Sequence, residues 1–476
     1  MDTPAEVAKK AAGKPKRVPQ LLRGMKDTLP EEQRYWTFVR QRVEAMAELY
    51  SYSQIATPLL EETSLFVRSI GKETDVIEKE IYSFEDKGGD SVALRPEGTA
   101  GVVRAYIEHG MLTRPQPVKL FYIGPFFRYD RPQAGRYRQF HQFGFEAIGD
   151  AHPVLDAQLM LLVYQFHAEL GLPVTLQVNS IGTPQAREGY RKALLDYYRT
   201  RKNALCEDCR LRLQRNPLRL LDCKQPDCQL LAQEAPQIID FLDEASNKHF
   251  VQVLEHLDSM EVPYVLNPRL VRGLDYYTGT VFEVWPEERP AELVEPLPEG
   301  APPAEPPVKP GAQSALGGGG RYDLLVESLG GQPTPAIGFA IGIERLILEL
   351  KFRDTKVGQE PTPDIFVAQL GDAGRKKALR FFEELRRGGF RVTEAFSKDG
   401  IKAQMELANR RKVKFTLIIG QKEIMDDTIL IRDMESGIQE TVDYQKAIPE
   451  LQKRLLKYGV VEKNGNGGQH LPLPTA

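Results

Sequence analysis

No apolar run in the sequence approaches the roughly 20 residues needed to cross a bilayer as a helix, which argues against a membrane protein. The N-terminal stretch MDTPAEVAKKAAGKPKR carries lysines with no apolar segment behind them, so a secretory leader is not expected and the cytoplasm is. Neither sign of charge is in excess: 63 Lys and Arg face 66 Asp and Glu, for a formal net charge of −3. Any nucleic-acid contact must therefore come from local basic patches and not from a global field. Cysteine is scarce, four in 476 residues, and all four lie in one short stretch as Cys206-x2-Cys209 and Cys223-x4-Cys228. Two close pairs in a cytosolic chain suggest a tetrahedral zinc site, but the spacing is imperfect, and reduced thiols at loop positions without a metal are the expectation. What is present is a composition of 41% hydrophobic and 27% charged residues, that of a soluble globular protein long enough for two or three domains.

The most informative stretch runs from Phe121 to Gly149 and reads FYIGPFFRYDRPQAGRYRQFHQFGFEAIG. Phe121, Tyr122, Ile123, Phe126 and Phe127 suit a pleated surface. From Arg128 to Arg138 there is no apolar run but four arginines, a proline and a glycine, as in an exposed basic turn. Alternation then returns, with Phe140, Gln142, Gly144 and Glu146 on one face and His141, Phe143, Phe145 and Ala147 on the other. The pattern predicts two antiparallel strands joined by a basic loop, with Arg128, Gln142 and Glu146 held on a rigid sheet. An ordinary hairpin with solvated arginines would show the same pattern.

Within this stretch, FRYDRPQAGRYRQFHQFGFE resembles motif 2 of the class II aminoacyl-tRNA synthetases, in the form seen in histidyl-tRNA synthetases of bacterial type. Other segments carry the same resemblance. The helical spacing of Tyr35, Phe38, Val39, Val43, Met46 and Leu49, followed by SQIATPLLEE with Pro58, is similar to motif 1, which implies a homodimer interface. LVRGLDYYTGTVFEV at 270–284 resembles the histidine-specific signature, and ALGGGGRYDLLVESLGG at 315–331 the backbone floor of the histidine pocket beside Tyr277. AIGFAIGIERLILEL at 336–350, strand-like and then helical from Ile343, is similar to motif 3.

The resemblance implies an α/β fold: an α+β catalytic domain with an antiparallel sheet flanked by helices over 18–170 and 263–352, a helical insertion domain over 171–262, and a C-terminal α/β anticodon-binding domain over 363–455. Within the insertion, helices are expected near Arg187–Thr200 and Pro236–Glu244. In the last unit the strands DIFVAQL, FRVTEAF, FTLIIG and TILIRDM alternate with helices, and Arg375, Lys376, Lys377, Arg410, Arg411, Lys412 and Lys414 give it basic ends suited to phosphates. Residues 1–17 and 458–476 read as a disordered and a polar tail, and 286–313 as a Pro/Glu-rich surface loop longer than the resemblance leads one to expect.

The implied reaction is histidine–tRNA ligation: ATP, with Mg²⁺, activates L-histidine to histidyl-adenylate and pyrophosphate, and the acyl group passes to the 3′ end of tRNA(His). By the motif match Arg128 and Arg272 are the catalytic guanidiniums. Glu97, Thr99, Gln142, Glu146, Arg272, Tyr276 and Tyr277 meet histidine, with Glu146 and the Tyr277 hydroxyl at the ring. Arg128, Arg136 and Arg345 meet ATP, and Gln133 and Arg138 the acceptor end of the tRNA. No metal held by the protein is implied. A second reading is the non-catalytic regulatory subunit of ATP phosphoribosyltransferase, which shares the catalytic fold but lacks the RGLDYY signature and the C-terminal domain, both present here.

Overall fold

A computed structural model describes residues 18–287, 315–358 and 362–458. The expected tails, apart from Tyr458, and nearly all of the 286–313 loop lie outside the described residues. The chain divides into two compact units at Gly358/Gln359.

In the first unit the strands are β1 (Ser53–Gln54), β2 (Leu60–Glu62), β3 (Tyr82–Glu85), β4 (Ser91–Leu94), β5 (Val118–Phe127), β6 (Gln139–Ile148), β7 (Val174–Ser180), β8 (Tyr264–Leu266), β9 (Thr278–Pro286), β10 (Gly317–Arg321) and β11 (Ala336–Gly342). Eight of them form one sheet in the order β1-β5-β6-β11-β10-β9-β7-β8, antiparallel except for the two outer pairs. A small sheet, β2-β4-β3, stands beside it. The hairpin read from the sequence is present: β5 and β6 pair from Phe127 with Gln139 to Val118 with Ile148, and the arginine loop joins them.

Strand alternation sends successive side chains of β5 and β6 into two different cores. Phe121, Phe143, Phe145 and Ala147 enter the first, Leu120, Tyr122, Phe126 and Ile148 the second. The first core is sealed by Pro30–Leu49, Pro153–Glu169, Glu244–Ser259 and Ile343–Phe352. Pro30–Leu49 is helical because Pro30 starts it, Glu31 and Glu32 favour its N-terminus, and Val39, Val43, Met46 and Ala47 recur at one-turn spacing to be buried. Phe145 stacks on Phe339, its register partner on β11, at 5.3 Å. Truncating such a fully buried ring costs about 3 to 5 kcal/mol.

Two expectations are corrected. The 171–262 segment is not all insertion, because β7 and β8 belong to the large sheet and Glu244–Ser259 buries Phe250, Val253 and Leu257 in the first core. The helical excursion is confined to about 184–241, and at its end a short 3₁₀ turn, Ile238–Phe241, replaces the helix expected at Pro236–Glu244. The cysteines are divided between helix and loop: Cys209 and Cys228 lie in the helices Glu207–Arg215 and Pro226–Gln233, while Cys206, which caps the first, and Cys223 lie outside helices and strands.

The second unit has one five-stranded sheet of β12 (Ile365–Gln369), β13 (Val392–Glu394), β14 (Phe415–Ile419), β15 (Thr428–Asp433) and β16 (Gln439–Asp443), ordered β13-β12-β14-β15-β16. Both faces of its inner strands are covered, which is why IFVAQ and FTLII are continuous buried runs and not alternating ones. No described helix in either unit is long and apolar enough to cross a membrane.

Candidate active site

One face of the large sheet opens into a cavity of about 640 Å³. Its lining comes from β5 and β6, the basic loop, the start of the helix Thr99–Glu108, the Val271–Tyr277 segment, β9, β10, and the β11-to-helix turn. Segments far apart in sequence meet here because adjacent antiparallel strands bring their pocket-facing residues into register.

The deepest part is a closed hydrogen-bond network. Glu97 accepts the backbone N–H groups of Thr99 (2.7 Å) and Ala100 (2.8 Å), so its carboxylate also satisfies the first turn of the helix it precedes. The Thr99 hydroxyl donates to Glu146 Oε1 at 2.7 Å, and the Tyr322 hydroxyl to Glu146 Oε2 at 2.6 Å. The Tyr276 hydroxyl reaches Glu97 at 3.4 Å. Glu146 is 0% exposed, and burial pushes its proton affinity up to a pKa of about 8; burial likewise raises Glu97, opposed by its backbone donors and by Arg128. Gly338 faces Glu146 across β6 and β11, and a Cβ there would fall 1.6 Å from the carboxylate oxygen. Only glycine leaves room for the buried acid.

Above the floor lies Arg272. Its Nη1 donates to Glu283 Oε1 at 2.6 Å, and its guanidinium stands 5.7 Å from the Tyr277 ring centre. Its Nε is buried with no partner among the described residues. Burial works against its charge, but Tyr277 and Glu283 beside it outweigh burial and raise its pKa, so it stays cationic. Gly318, opposite Glu283 in the ladder, lies beneath it, and a Cβ there would approach Nη1 to 2.8 Å. The glycine run expected beside Tyr277 is thus a central strand whose Gly317 and Gly318 line the cavity under Arg272 and Glu283.

Toward the mouth the charge is positive. Arg128 donates from Nε to Pro96 O at 2.9 Å, Arg345 from Nη1 to Ala315 O at 2.8 Å, and Arg136 pairs with Asp130. Burial, then the Arg136 and Arg128 charges, lower the Arg345 pKa, the signature of guanidiniums gathered faster than anions to match them. On the far side Arg212 (3.2 Å) and Arg219 (3.1 Å) ion-pair with Asp75, and Arg215 (2.9 Å) with Glu78, which brings the helical excursion against the rim.

Of the residues singled out from sequence, Glu97, Thr99, Arg128, Arg136, Gln142, Arg272, Tyr276, Tyr277 and Arg345 all line this cavity. Glu146 does not. It lies behind the wall with both oxygens engaged, and no hydrogen bond joins it to Tyr277. Gln133 and Arg138 lie off the cavity on the loop: Gln133 closes a tight turn with Arg136, and Arg138 stacks 3.7 Å from the Tyr129 ring centre. Sequence reading missed Tyr122, Glu283 and Tyr322. A carboxylate inside the apolar run VFEVW was the available sign of Glu283, since a charge there needs a buried partner.

Comparison with known proteins agrees with this arrangement. The family described as histidyl-tRNA synthetase matches residues 24–295, and that described as anticodon binding domain matches 364–454. The histidine–tRNA ligase of Dehalococcoides mccartyi is 45% identical over 437 residues, 92% of this chain and 100% of the relative. That of Fervidobacterium nodosum is 44% identical over 422 residues, covering 88% and 95%. The crystal structure of the apo histidyl-tRNA synthetase of S. aureus superposes with a TM-score of 0.71 at 36% identity, over 91% of this chain and 99% of that one. A Bacillus halodurans structure described as an ATP phosphoribosyltransferase regulatory subunit/histidyl-tRNA synthetase has a TM-score of 0.57 at 20% identity, over 83% of this chain and 97% of that one, a likeness of fold alone. With the second unit matching an anticodon-binding domain, the regulatory-subunit reading is not favoured. The chain belongs to the histidyl-tRNA synthetase family, class II aminoacyl-tRNA synthetases that ligate histidine to tRNA.

Proposed function

We propose that the cavity divides one reaction between its two ends: histidine bound against the floor, ATP held at the mouth, and Arg272 between them. The observation that carries this reading is the placement of polar groups, with Glu97, Thr99 and Gln142 at the bottom of the cavity and Arg128, Arg136 and Arg345 gathered at the rim. Glu97, Thr99 and Gln142 suit an α-ammonium, which wants carboxylate and hydroxyl or carbonyl acceptors. Tyr276 and Tyr277 flank the ring of the amino acid. Glu146, behind them, sets the protonation of the wall, and through Thr99 and Tyr322 it fixes which hydroxyls donate and which accept. A neutral imidazole offers one donor and one acceptor, so a wall with fixed polarity penalises analogues that lack either.

The carboxylate of histidine attacks the α-phosphorus of ATP, the bond to the β-phosphate breaks, and pyrophosphate leaves. Arg128 and Arg272 stabilise the charge that develops at the α-phosphate, at about 3 to 4 kcal/mol per well-placed donor. Mg²⁺ carried in on ATP would supply charge neutralisation for the pyrophosphate, with no cage of protein ligands needed. Gln133, exposed outside the cavity on the same loop, is placed to meet the acceptor end of tRNA(His), and Arg138 would do so from its stack on Tyr129. In the second unit Arg410, Arg411 and Lys412 border a shallow groove, whereas Arg375 and Lys377 are tied to Asp399 and Asp427. The former group is the better candidate for the RNA backbone.

ATP–pyrophosphate exchange measured with each of the twenty amino acids tests the core of this reading: exchange with histidine alone supports it, and exchange with another amino acid or with none overturns it. We further infer a cytoplasmic homodimer. Leu59 and Leu60, next to Pro58, are exposed apolar residues on an edge that a second copy would cover. Light scattering is expected to give twice the chain mass, and an active monomer would refute the dimer.

A further inference from the structure

We propose that Cys206, Cys209, Cys223 and Cys228 bind one structural zinc ion, and that this ion anchors the arginine-bearing segment 212–225 at the rim of the active-site cavity. The four sulfur atoms all lie within 4.8 Å of one another, and none is in a disulfide. A zinc ion held by four thiolates at about 2.3 Å sets sulfur–sulfur edges of about 3.8 Å. The Cys206–Cys223 separation is 3.8 Å. Sulfurs gathered this tightly surround the space of a single ion, whereas a cluster of several irons would hold them further apart.

The local backbone is also that of a thiolate site. The N–H of Cys209 points at Cys206 Sγ (3.4 Å) and that of Cys206 at Cys228 Sγ (3.3 Å), donors that favour charged sulfur. Cys209, Cys223 and Cys228 are buried among apolar side chains, where four thiols alone would contribute little cohesion but a coordinated ion much. On binding, each thiol gives up its proton and the metal takes four thiolate ligands.

The fold gives such a site a purpose. Two short helices, Glu207–Arg215 and Pro226–Gln233, and a 3₁₀ turn at Pro217–Leu220 make up this part of the excursion. Helices of that length are marginal without tertiary support. The chain between the cysteine pairs carries Arg212, Arg215 and Arg219, which meet Asp75 and Glu78, and Cys206 and Cys223 themselves border the cavity. Fixing the sulfurs therefore fixes the rim.

Full-length enzyme purified without chelator is expected to contain about one zinc per chain. Its cysteines should react with a thiol reagent only after a chelator removes the metal, and the apo enzyme should take up Co²⁺ with the absorption of a tetrahedral thiolate complex. Cys209→Ser should abolish metal retention and lower the melting temperature. Should that variant fail to fold, the zinc content and cobalt spectrum of the unaltered chain still decide the matter. Folded, active enzyme that holds less than about a tenth of a zinc per chain and takes up no cobalt would overturn the proposal, as would stoichiometric iron in place of zinc.

Discussion

At the bottom of the cavity Glu97 and Thr99 are joined by hydrogen bonds to each other and, through the Thr99 hydroxyl, to Glu146 and Tyr322 buried behind the wall, whereas at the mouth Arg128, Arg136 and Arg345 crowd together with their charge only partly matched. The difference follows from what each end must do. A small zwitterion with a polar ring is selected by fixed donors and acceptors, so the floor is rigid, glycine-cleared and built on strands. A polyanion is attracted by clustered guanidiniums, so the mouth gathers three of them, and one sits on a loop: Arg136, though paired with Asp130, has 45% of its side chain exposed, Arg272 only 18%. Arg272 belongs to both ends, tied to Glu283 yet cationic and facing the cavity.

The largest expected effect is at that junction. Arg272→Ala should slow adenylate formation by about 10²-fold or more while histidine affinity changes much less, and Arg272→Lys should restore only part, because an ammonium lacks the planar fork. Near wild-type adenylation by the alanine variant would remove Arg272 from the chemistry. Next, Arg345→Ala should weaken ATP about tenfold and leave histidine binding unchanged, in line with the loss of one charge-assisted contact. Equal loss of both ligands would erase the division between floor and mouth.

Removing residues 363–476 should depress tRNA charging far more than adenylate formation, since the cavity lies wholly within the first unit. Parallel losses in the two assays would contradict this. The smallest effect concerns pH. Glu146 binds its proton more tightly folded than unfolded, so it stabilises the native state most below about pH 4.5, and that contribution declines as the pH rises toward about 8. In Glu146→Gln the decline is absent, and the gap in melting temperature between variant and wild type should move in the variant's favour from pH 5 to pH 8. Two melting curves that run parallel over that range would show the acid to be ionised in the folded protein.

The period-2 pattern of Phe140–Ala147 was enough to put Gln142 and Glu146 on one face and the phenylalanines on the other, because alternation in a strand is a local property. The switch at Ile343 from strand to helix was legible for the same reason. Other features were not. VTLQVNS shows that β7 is a strand but not that it inserts between β8 and β9, and so the insertion was drawn too wide. Tyr322 reaches Glu146 across 176 residues, and nothing near Tyr322 in sequence marks that contact.

By itself the sequence determined the hairpin, most of the strands and helices, and nine of the groups that line the cavity, since each of these rests on spacing within one segment or on a long motif. Only the tertiary structure decided that Glu146 lies behind the wall, that Arg272 is clamped by Glu283, and that four cysteines in two separate pairs converge to within 4.8 Å. Those are distances between segments set by sheet order and helix packing, and residue type and spacing carry no record of them until the chain has folded.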